Sequence, residues 1–139
     1  MSFLLDTNVV SESTKPRPNP GLMEWLAGVD EESVFLSVIT LTELRYGVER
    51  LAPGRRRKQL DRWLQRELPQ RFEGRMLPID TLVADACGKL LVHTESLGRP
   101  IEARDAFIAA TAQVHRLTLV TRNVSHFETA VKSILAPWT

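Results

Sequence analysis

Residues 3–12 read FLLDTNVVSE, a segment in which three apolar residues stop abruptly at Asp6. A short apolar run that ends in polar residues is typical of a buried strand reaching the edge of a sheet. Asp6, Thr7 and Asn8 would bring a carboxylate and two hydrogen-bonding side chains to that edge. Because the same side chains can cap the start of a helix, the local sequence leaves both capping and a binding site open.

Similar apolar runs recur between longer segments of helical periodicity, which is the pattern of a parallel sheet covered by helices. The predicted strands are Phe3–Leu5, Val34–Val38, Met76–Ile79 and Leu117–Val120, with a short fifth near Val131–Leu135. Five helices are predicted. The first starts at Pro20, after an Asn19 cap, and the second starts at Leu41. The other three cover Gln59–Leu68, Thr81–Leu97 and Ala103–His115. In the helix Thr81–Leu97 we expect four residues to face inward: Leu82, Ala86, Leu90 and Leu97.

Composition limits the classes of protein. A chain of 139 residues with 43% hydrophobic residues is expected to form a single domain, 1–139. A formal net charge of +1 excludes a global attraction to nucleic acid or to a membrane surface. The single cysteine excludes an intramolecular disulfide framework. The N-terminus lacks signal-peptide features, and no apolar run approaches the ~18 residues of a membrane span, so we expect a cytoplasmic protein with no membrane partner.

Four polar residues are predicted to meet at the carboxyl edge of the sheet, where ligands bind in open α/β folds. Asp6 closes the first strand, and Asn123 follows the fourth. Glu43 lies in the first turn of the helix after the second strand, and Asp105 lies in the first turn of the helix before the fourth. Each also has a purely structural interpretation. Thr40 and Glu43 fit a capping box, for example, and Asp105 suits the positive end of a helix dipole.

Three carboxylates close together would repel one another unless a cation held them. Oxygen ligands alone favour Mg²⁺ or Mn²⁺, which can lower the pKa of a bound water and stabilise charge on a phosphodiester. The pattern therefore predicts a metal-dependent phosphoryl-transfer site at Asp6, Glu43 and Asp105. Nearby residues are expected to support the carboxylates or to hold a substrate phosphate; the supports are Thr7, Asn8 and Thr121, and the phosphate contacts are Arg45, Arg104 and Arg122.

Several other residues have a plainer interpretation. His93, His115 and His126 lack ligand spacing and are predicted to be surface or core residues. Asp80 is expected to cap the helix that follows it. The basic run Arg55–Lys58 is predicted to be a solvated helix start or turn, and a contact with RNA or a partner is the open alternative.

Four segments carry a resemblance to a known family. They are LLDTNVVSE at 4–12, SVITLTELRYGV at 37–48, EARDAFIAATA at 102–112 and LVTRNVSHF at 119–127. Their order and spacing resemble the successive motifs of PIN-domain proteins, and in particular of VapC-type and FitB-like toxins of type II toxin–antitoxin systems. The likeness spans nearly the whole chain.

The resemblance implies a three-layer α/β/α fold and an endoribonuclease dependent on Mg²⁺ or Mn²⁺. It also implies a homodimer and a small antitoxin that blocks the site and carries the DNA-binding part, so that DNA is reached only through the antitoxin. Asp6, Glu43 and Asp105 match the family's acidic positions, and Thr121 matches a supporting hydroxyl. Asn123 stands where many members have a fourth acid, which weakens the case for a second tightly held metal ion.

Two other functions stay open at this point. A protein that keeps the fold but binds RNA or a partner without useful catalysis would also explain Asn123. A receiver-like phosphoacceptor module also gathers acids around Mg²⁺ at strand ends, and Asp80 would then be the phosphorylated residue. The first strand supplies one acid and not a pair, which disfavours this second alternative.

Overall fold

The computed structural model describes residues 1–139, and its centre is a parallel sheet of five short strands in the order β3-β2-β1-β4-β5. The strands are β1 Phe3–Leu5, β2 Val34–Ser37, β3 Met76–Leu77, β4 Thr118–Val120 and β5 Ile134–Leu135. Leu4 of the central strand is in register with Phe35 on one side and Leu119 on the other. The predicted parallel sheet is confirmed. Strand β3 is shorter than predicted, since Pro78 has no N–H for the ladder.

Helices connect all the strands. They are α1 Thr7–Ser13, α2 Pro20–Gly28, α3 Val38–Glu49, α4 Arg55–Arg62, α5 Leu68–Arg71, α6 Thr81–Ser96, α7 Ala103–His115 and α8 Val124–Phe127. A 3₁₀ turn covers Glu31–Ser33, and a π-helical turn at Trp63–Glu67 joins α4 directly to α5. The predicted helix Gln59–Leu68 is therefore the middle of a longer helical run. No helix is both long and apolar enough to cross a membrane.

Helix α3 begins earlier than the sequence pattern predicted. The Ser37 hydroxyl accepts a hydrogen bond from the Ile39 N–H (3.0 Å), so Ser37 is the cap and the helix starts at Val38 and not at Leu41. The capping box at Thr40 and Glu43 is consequently wrong, and Glu43 lies in the second turn, not the first. A serine at the end of a strand is a good cap, and its position decided the helix start.

The core lies on both faces of the sheet, because neighbouring strand residues point to opposite sides. Leu4 and Leu119 belong to a cluster formed with α6 and α7. Leu5 and Val120 belong to a second cluster, which they form with residues of α1, α2, α3 and the helical run from α4 to α5. The result is the three-layer α/β/α arrangement, with the strand ends left free for a site.

The inward face of α6 differs from the prediction. Leu90 is buried and Ala86 packs against the core, as predicted. Val83 and Cys87 are also buried, whereas Leu82 and Leu97 are 68% and 52% exposed. Two apolar stripes with helical spacing run side by side on this helix, and only packing decides between them. Thr94 lies on the buried stripe because its hydroxyl accepts a hydrogen bond from the Ile101 N–H (3.2 Å). A pattern of apolar residues cannot predict that a threonine such as Thr94 is buried, because its burial depends on a hydrogen-bond partner elsewhere in the chain.

Candidate functional site

Asp6 is held rigidly at the carboxyl edge of the sheet. Its backbone N–H donates to the Val120 carbonyl (2.9 Å), which continues the pairing of β1 with β4 by one residue. Its Oδ1 accepts from the Thr7 N–H (2.7 Å), so Asp6 is the cap of α1, as the alternative interpretation expected. Its Oδ2 accepts from the Thr121 hydroxyl (2.7 Å) and from Asn8 Nδ2 (3.2 Å). The carboxylate is only 5% exposed, and every donor to it is neutral.

Glu43 approaches the same edge from α3. The Thr7 hydroxyl donates to Glu43 Oε1 (2.6 Å), so one short segment after β1 orients both Asp6 and Glu43. Arg104 Nη1 lies 3.8 Å from Glu43 Oε2 and also pairs with Glu102 (3.2 Å), on an exposed part of the rim. This guanidinium is therefore shared and does not neutralise Glu43 tightly.

Asp105 is the most perturbed acid. Its position in the first turn of α7 turns it towards the edge, and burial, together with the charge of Asp6, raises its pKa to about 6. Burial also raises the pKa of Asp6, an effect that the hydrogen bonds from Thr121 and Thr7 oppose and that the charge of Glu43 adds to. The acids thus disfavour one another's ionised forms, as expected for carboxylates gathered without a cation.

Thr121 and Asn8 tie the first and fourth strands together at the site. The Thr121 Oγ1 that donates to Asp6 also accepts from the Asn123 N–H (3.0 Å) and faces Asn8 Nδ2 at 3.3 Å. Asn8 Oδ1 accepts from the Arg122 N–H (3.2 Å). The Asn123 side chain makes no capping hydrogen bond and is exposed, so it lies at the rim without contacting the acids.

The predicted arginines divide into two groups. Arg45 donates to Asp61 (2.6 Å) and Glu49 (3.1 Å), which directs it along α3 towards α4 and not towards the acids. Arg122 is exposed beside the edge, and Arg104 contacts Glu43 as described above. Arg104 is therefore the predicted phosphate contact that the structure brings into touch with a site acid.

His126 is exposed, in agreement with the prediction of a surface or core residue, but it also lies beside one of the predicted site acids. Its Nδ1 lies 3.6 Å from Asp105 Oδ2, and both residues line an open cleft of about 380 Å³ together with Glu102 and Ser125. The available signal was its position three residues after Asn123, one turn along the short helix α8. Metal-ligand spacing was the wrong criterion for this histidine.

Asp80 serves the structural role expected of it. Its Oδ1 accepts from the Val83 N–H (3.0 Å) and caps α6.

The residues present fit a hard divalent cation in their chemistry. The acids offer oxygen ligands only and no lysine pairs with them. The pKa values of Asp6 and Asp105 are raised chiefly by burial and further by neighbouring carboxylates, and a bound cation would favour their ionised forms. In their present positions, no three His, Cys, Asp or Glu side chains are arranged to hold a metal ion. An ion at this edge would therefore have to draw the three carboxylates together.

The fold and the edge define a class of three-layer α/β/α proteins with an acidic pocket at the carboxyl ends of parallel strands. The PIN domain family matches residues 3–132. The chain belongs to the PIN domain family. It is 40% identical to Toxin FitB of Neisseria gonorrhoeae over 98% of both chains, and 36% identical to the VapC ribonuclease Y4jK of Sinorhizobium fredii over 98% of this chain and 97% of that one.

Solved structures agree with this assignment. The structure of FitAB bound to an IR36 DNA fragment has a TM-score of 0.93 at 37% identity, covering 99% of this chain and 96% of that one. Further similar structures are toxin–antitoxin complexes. PIN-domain ribonucleases are generally dependent on a divalent metal. The family resemblance seen in the four sequence motifs is confirmed.

Proposed function

We propose that this chain is an endoribonuclease dependent on Mg²⁺ or Mn²⁺ and the toxin of a type II toxin–antitoxin module. The observation that carries the proposal is the group of carboxylates at Asp6, Glu43 and Asp105, which lacks a lysine partner and in which neutral donors orient Asp6 and Glu43. Similarity to a named toxin and a named ribonuclease over almost the full chain supports it.

In this proposal Asp6, Glu43 and Asp105 hold the ion. When bound, a divalent cation would lower the pKa of a water molecule bound to it and stabilise the charge on phosphodiester oxygens. Asp105 must lose its proton for this role, and with a pKa of about 6 it is mostly ionised at neutral pH. Thr7 donates to Glu43 and Thr121 donates to Asp6, so two of the three carboxylates are already oriented before an ion binds.

The residues at the rim would position RNA. Arg104 and Arg122 are exposed beside the acids and are proposed to contact phosphates. Asn123, together with Thr121, is proposed to position water or a carboxylate. Arg45 is engaged with Asp61, so its phosphate contact would need that ion pair to break.

The proposed partners are those expected of the toxin of a type II toxin–antitoxin module. A small antitoxin would cover the acidic edge and carry the DNA-binding part, so DNA would be met only through it. Toxin–antitoxin complexes are found among the similar structures, and three of these structures are bound to DNA, which supports this arrangement. We propose a homodimer of single PIN domains, 1–139, acting in the cytoplasm.

Single-turnover RNA cleavage tests the function directly. Wild-type protein should cut RNA with Mg²⁺ or Mn²⁺ and stop when EDTA is added, and Asp105→Asn should lose the activity. Asp85→Asn is the matched control, because Asp85 is an exposed acid on α6 that pairs with Lys89. Cleavage that survives EDTA, or that survives Asp105→Asn as well as it survives Asp85→Asn, would sink the proposal.

The exposed, uncharged Asn123 and the open arrangement of the acids favour one second candidate, a PIN-fold protein that binds RNA or a partner without catalysis. Calorimetric titration with Mn²⁺ separates the two. Saturable binding that Asp105→Asn weakens supports the nuclease, whereas no measurable binding at neutral pH supports the second candidate.

A further inference from the structure

A row of unpaired cations runs along the helical segment from α4 into the π-helical turn. Its members are Arg55, Lys58, Arg62 and Arg66, which we name the basic stripe. All four are exposed, and none makes an ion pair or a side-chain hydrogen bond in the structure. Spacings of three, four and four residues place them on one helix face, about 5–6 Å apart along the axis.

The opposite face of the same segment is used for packing. Arg57 donates to Glu49 (2.9 Å), Asp61 accepts from Arg45 (2.6 Å), and Leu64 is buried in the core. The cations on that face therefore hold α4 against α3, and those of the basic stripe are left without a structural partner. Four like charges along one helix face repel one another, which a polyanion would relieve.

The two ion pairs also set how α4 lies along α3. Arg57 lies opposite Glu49 and Asp61 opposite Arg45, so the helices run antiparallel. Continuing this register brings Arg62 to about the level of Leu44, and Arg66 to about the level of Thr40. Glu43 lies between these two levels. The Arg62 and Arg66 end of the basic stripe thus lies at the level of Glu43. From there the stripe runs away from the site acids, along the antiparallel pair of helices α3 and α4.

The character of the surface distinguishes between a nucleic acid and a protein partner. The surface depression at the Arg55 end of the basic stripe contains no hydrophobic residue; it is lined by Gly54, Arg55, Lys58, Gln59 and Arg62. The centre of a stable protein interface is normally apolar, whereas a phosphate-backbone contact needs mainly positive charge. The helix start at Gly54 has no side-chain cap, which adds free N–H groups at the same end.

We propose that the basic stripe binds the phosphate backbone of the RNA strand outside the scissile bond. The inference rests on the proposed nuclease function, and it adds a second anchoring surface to the acidic edge. It also explains how a chain of net charge +1 can attract RNA locally.

The test is RNA binding without cleavage. A fluorescein-labelled 12-nucleotide oligouridylate is titrated with protein in EDTA at several KCl concentrations, and binding is followed by anisotropy. Each phosphate contact contributes about 0.7 to the slope of log K against log salt for a single strand. The variant R62Q/R66Q should therefore lose about 1.4 of slope, and R55Q/K58Q/R62Q/R66Q about 2.8, with affinity falling at least tenfold at low salt.

The matched control is R17Q/K132Q, which removes two exposed, unpaired cations that are not members of the basic stripe. Its slope should stay close to that of wild type. Circular dichroism and thermal unfolding check that each variant keeps the fold, which is expected because all the substituted side chains are exposed. If R62Q/R66Q changes the slope no more than R17Q/K132Q does, the proposal is overturned.

Two further measurements keep the outcomes distinct. A labelled 12-residue oligoglutamate peptide serves as a protein-like polyanion. Binding of this peptide that depends on the basic stripe, with an unchanged RNA slope, would assign the surface to an acidic partner and overturn the RNA contact. Cleavage is measured separately with Mg²⁺. RNA binding that depends on the basic stripe without any cleavage would defeat the proposed nuclease function and leave the phosphate contact standing.

Discussion

Two buried carboxylates lie at opposite ends of α1, and only one of them is neutralised by a cation. Asp6 is 5% exposed and Glu12 is 8% exposed. Glu12 accepts from Lys15 Nζ (2.9 Å) and from the Asn19 N–H (2.9 Å), and the hydrogen bond from Lys15 is the main reason that its pKa lies below the usual range. Asp6 accepts only from neutral groups, and its pKa is raised, chiefly by burial.

The difference separates a structural acid from a binding acid. The sequence places a lysine three residues after Glu12, so the fold neutralises that charge locally. At Asp6 the chain supplies orientation without neutralisation, and the remaining negative charge is available to a ligand. Substitutions at Asp6 and at Glu12 should therefore have different consequences.

The largest expected effect is on catalysis. Asp6→Asn keeps the shape of the side chain but removes a proposed ligand, so RNA cleavage should fall by about 10³-fold, which corresponds to several kcal/mol of transition-state stabilisation. Glu12→Gln should stay within a few-fold of wild type under the same single-turnover conditions. If the two variants lose similar amounts of activity, the distinction between them is wrong.

A smaller effect is expected at the support of Asp6. Thr121→Val removes the hydroxyl that donates to Asp6 Oδ2 and accepts from Asn123, so Mn²⁺ affinity should drop about 10- to 100-fold by calorimetry. Thr111→Val is the control, since the Thr111 hydroxyl is also buried but bonds only to the Phe107 carbonyl of its own helix. Equal affinities for the two variants would mean that Thr121 does not orient Asp6.

Metal binding should depend on pH through the binding acids and not through Glu12. Because Asp105 has a pKa of about 6 in the metal-free protein, a proton must leave before it can bind an ion. Mn²⁺ affinity should therefore rise about tenfold between pH 5 and pH 7 and level off above. Glu12→Gln should show the same profile. A flat profile in wild type would argue against Asp105 as a ligand.

The sequence predicted the meeting of Asp6 and Asp105 because topology alone places the carboxyl ends of parallel strands and the helix starts at one edge. It also predicted Asn19 and Asp80 as helix caps, since capping depends on three or four neighbouring residues, and both side chains accept from the helix N–H groups.

Other features depend on packing or on contacts distant in sequence. The prediction that Leu82 faces inward was wrong, because two apolar stripes lie side by side on α6 and the neighbouring Val83 is the buried residue. The contact of His126 with Asp105 joins α8 to α7 across space, and the position of His126 three residues after Asn123 is the only local signal for it. The engagement of Arg45 with Asp61 depends on how α4 returns along α3, which the sequence pattern did not fix.

The smallest effect concerns folding stability and has opposite signs for the two kinds of acid. Asp105 binds a proton more readily in the folded state, with a pKa of about 6 against an ordinary 3.8, so its contribution to stability falls as pH rises through that interval. Metal-free Asp105→Asn should therefore be more stable than wild type at pH 7.5, by about 1–2 kcal/mol once solvent screening is allowed for. The gain should vanish near pH 4.

Glu12 has the reverse sign. Its lowered pKa means that its stabilising effect is present above the ordinary value of 4.5 and is lost as pH falls through the folded value. Glu12→Gln should thus be less stable than wild type at pH 7.5, with the deficit shrinking in acid. Urea unfolding of both variants at pH 4 and 7.5, in EDTA, measures the two signs together. If Asp105→Asn were destabilised at pH 7.5, that acid would be a structural one like Glu12, and the assignment of unneutralised charge to ligand binding would lose its physical basis.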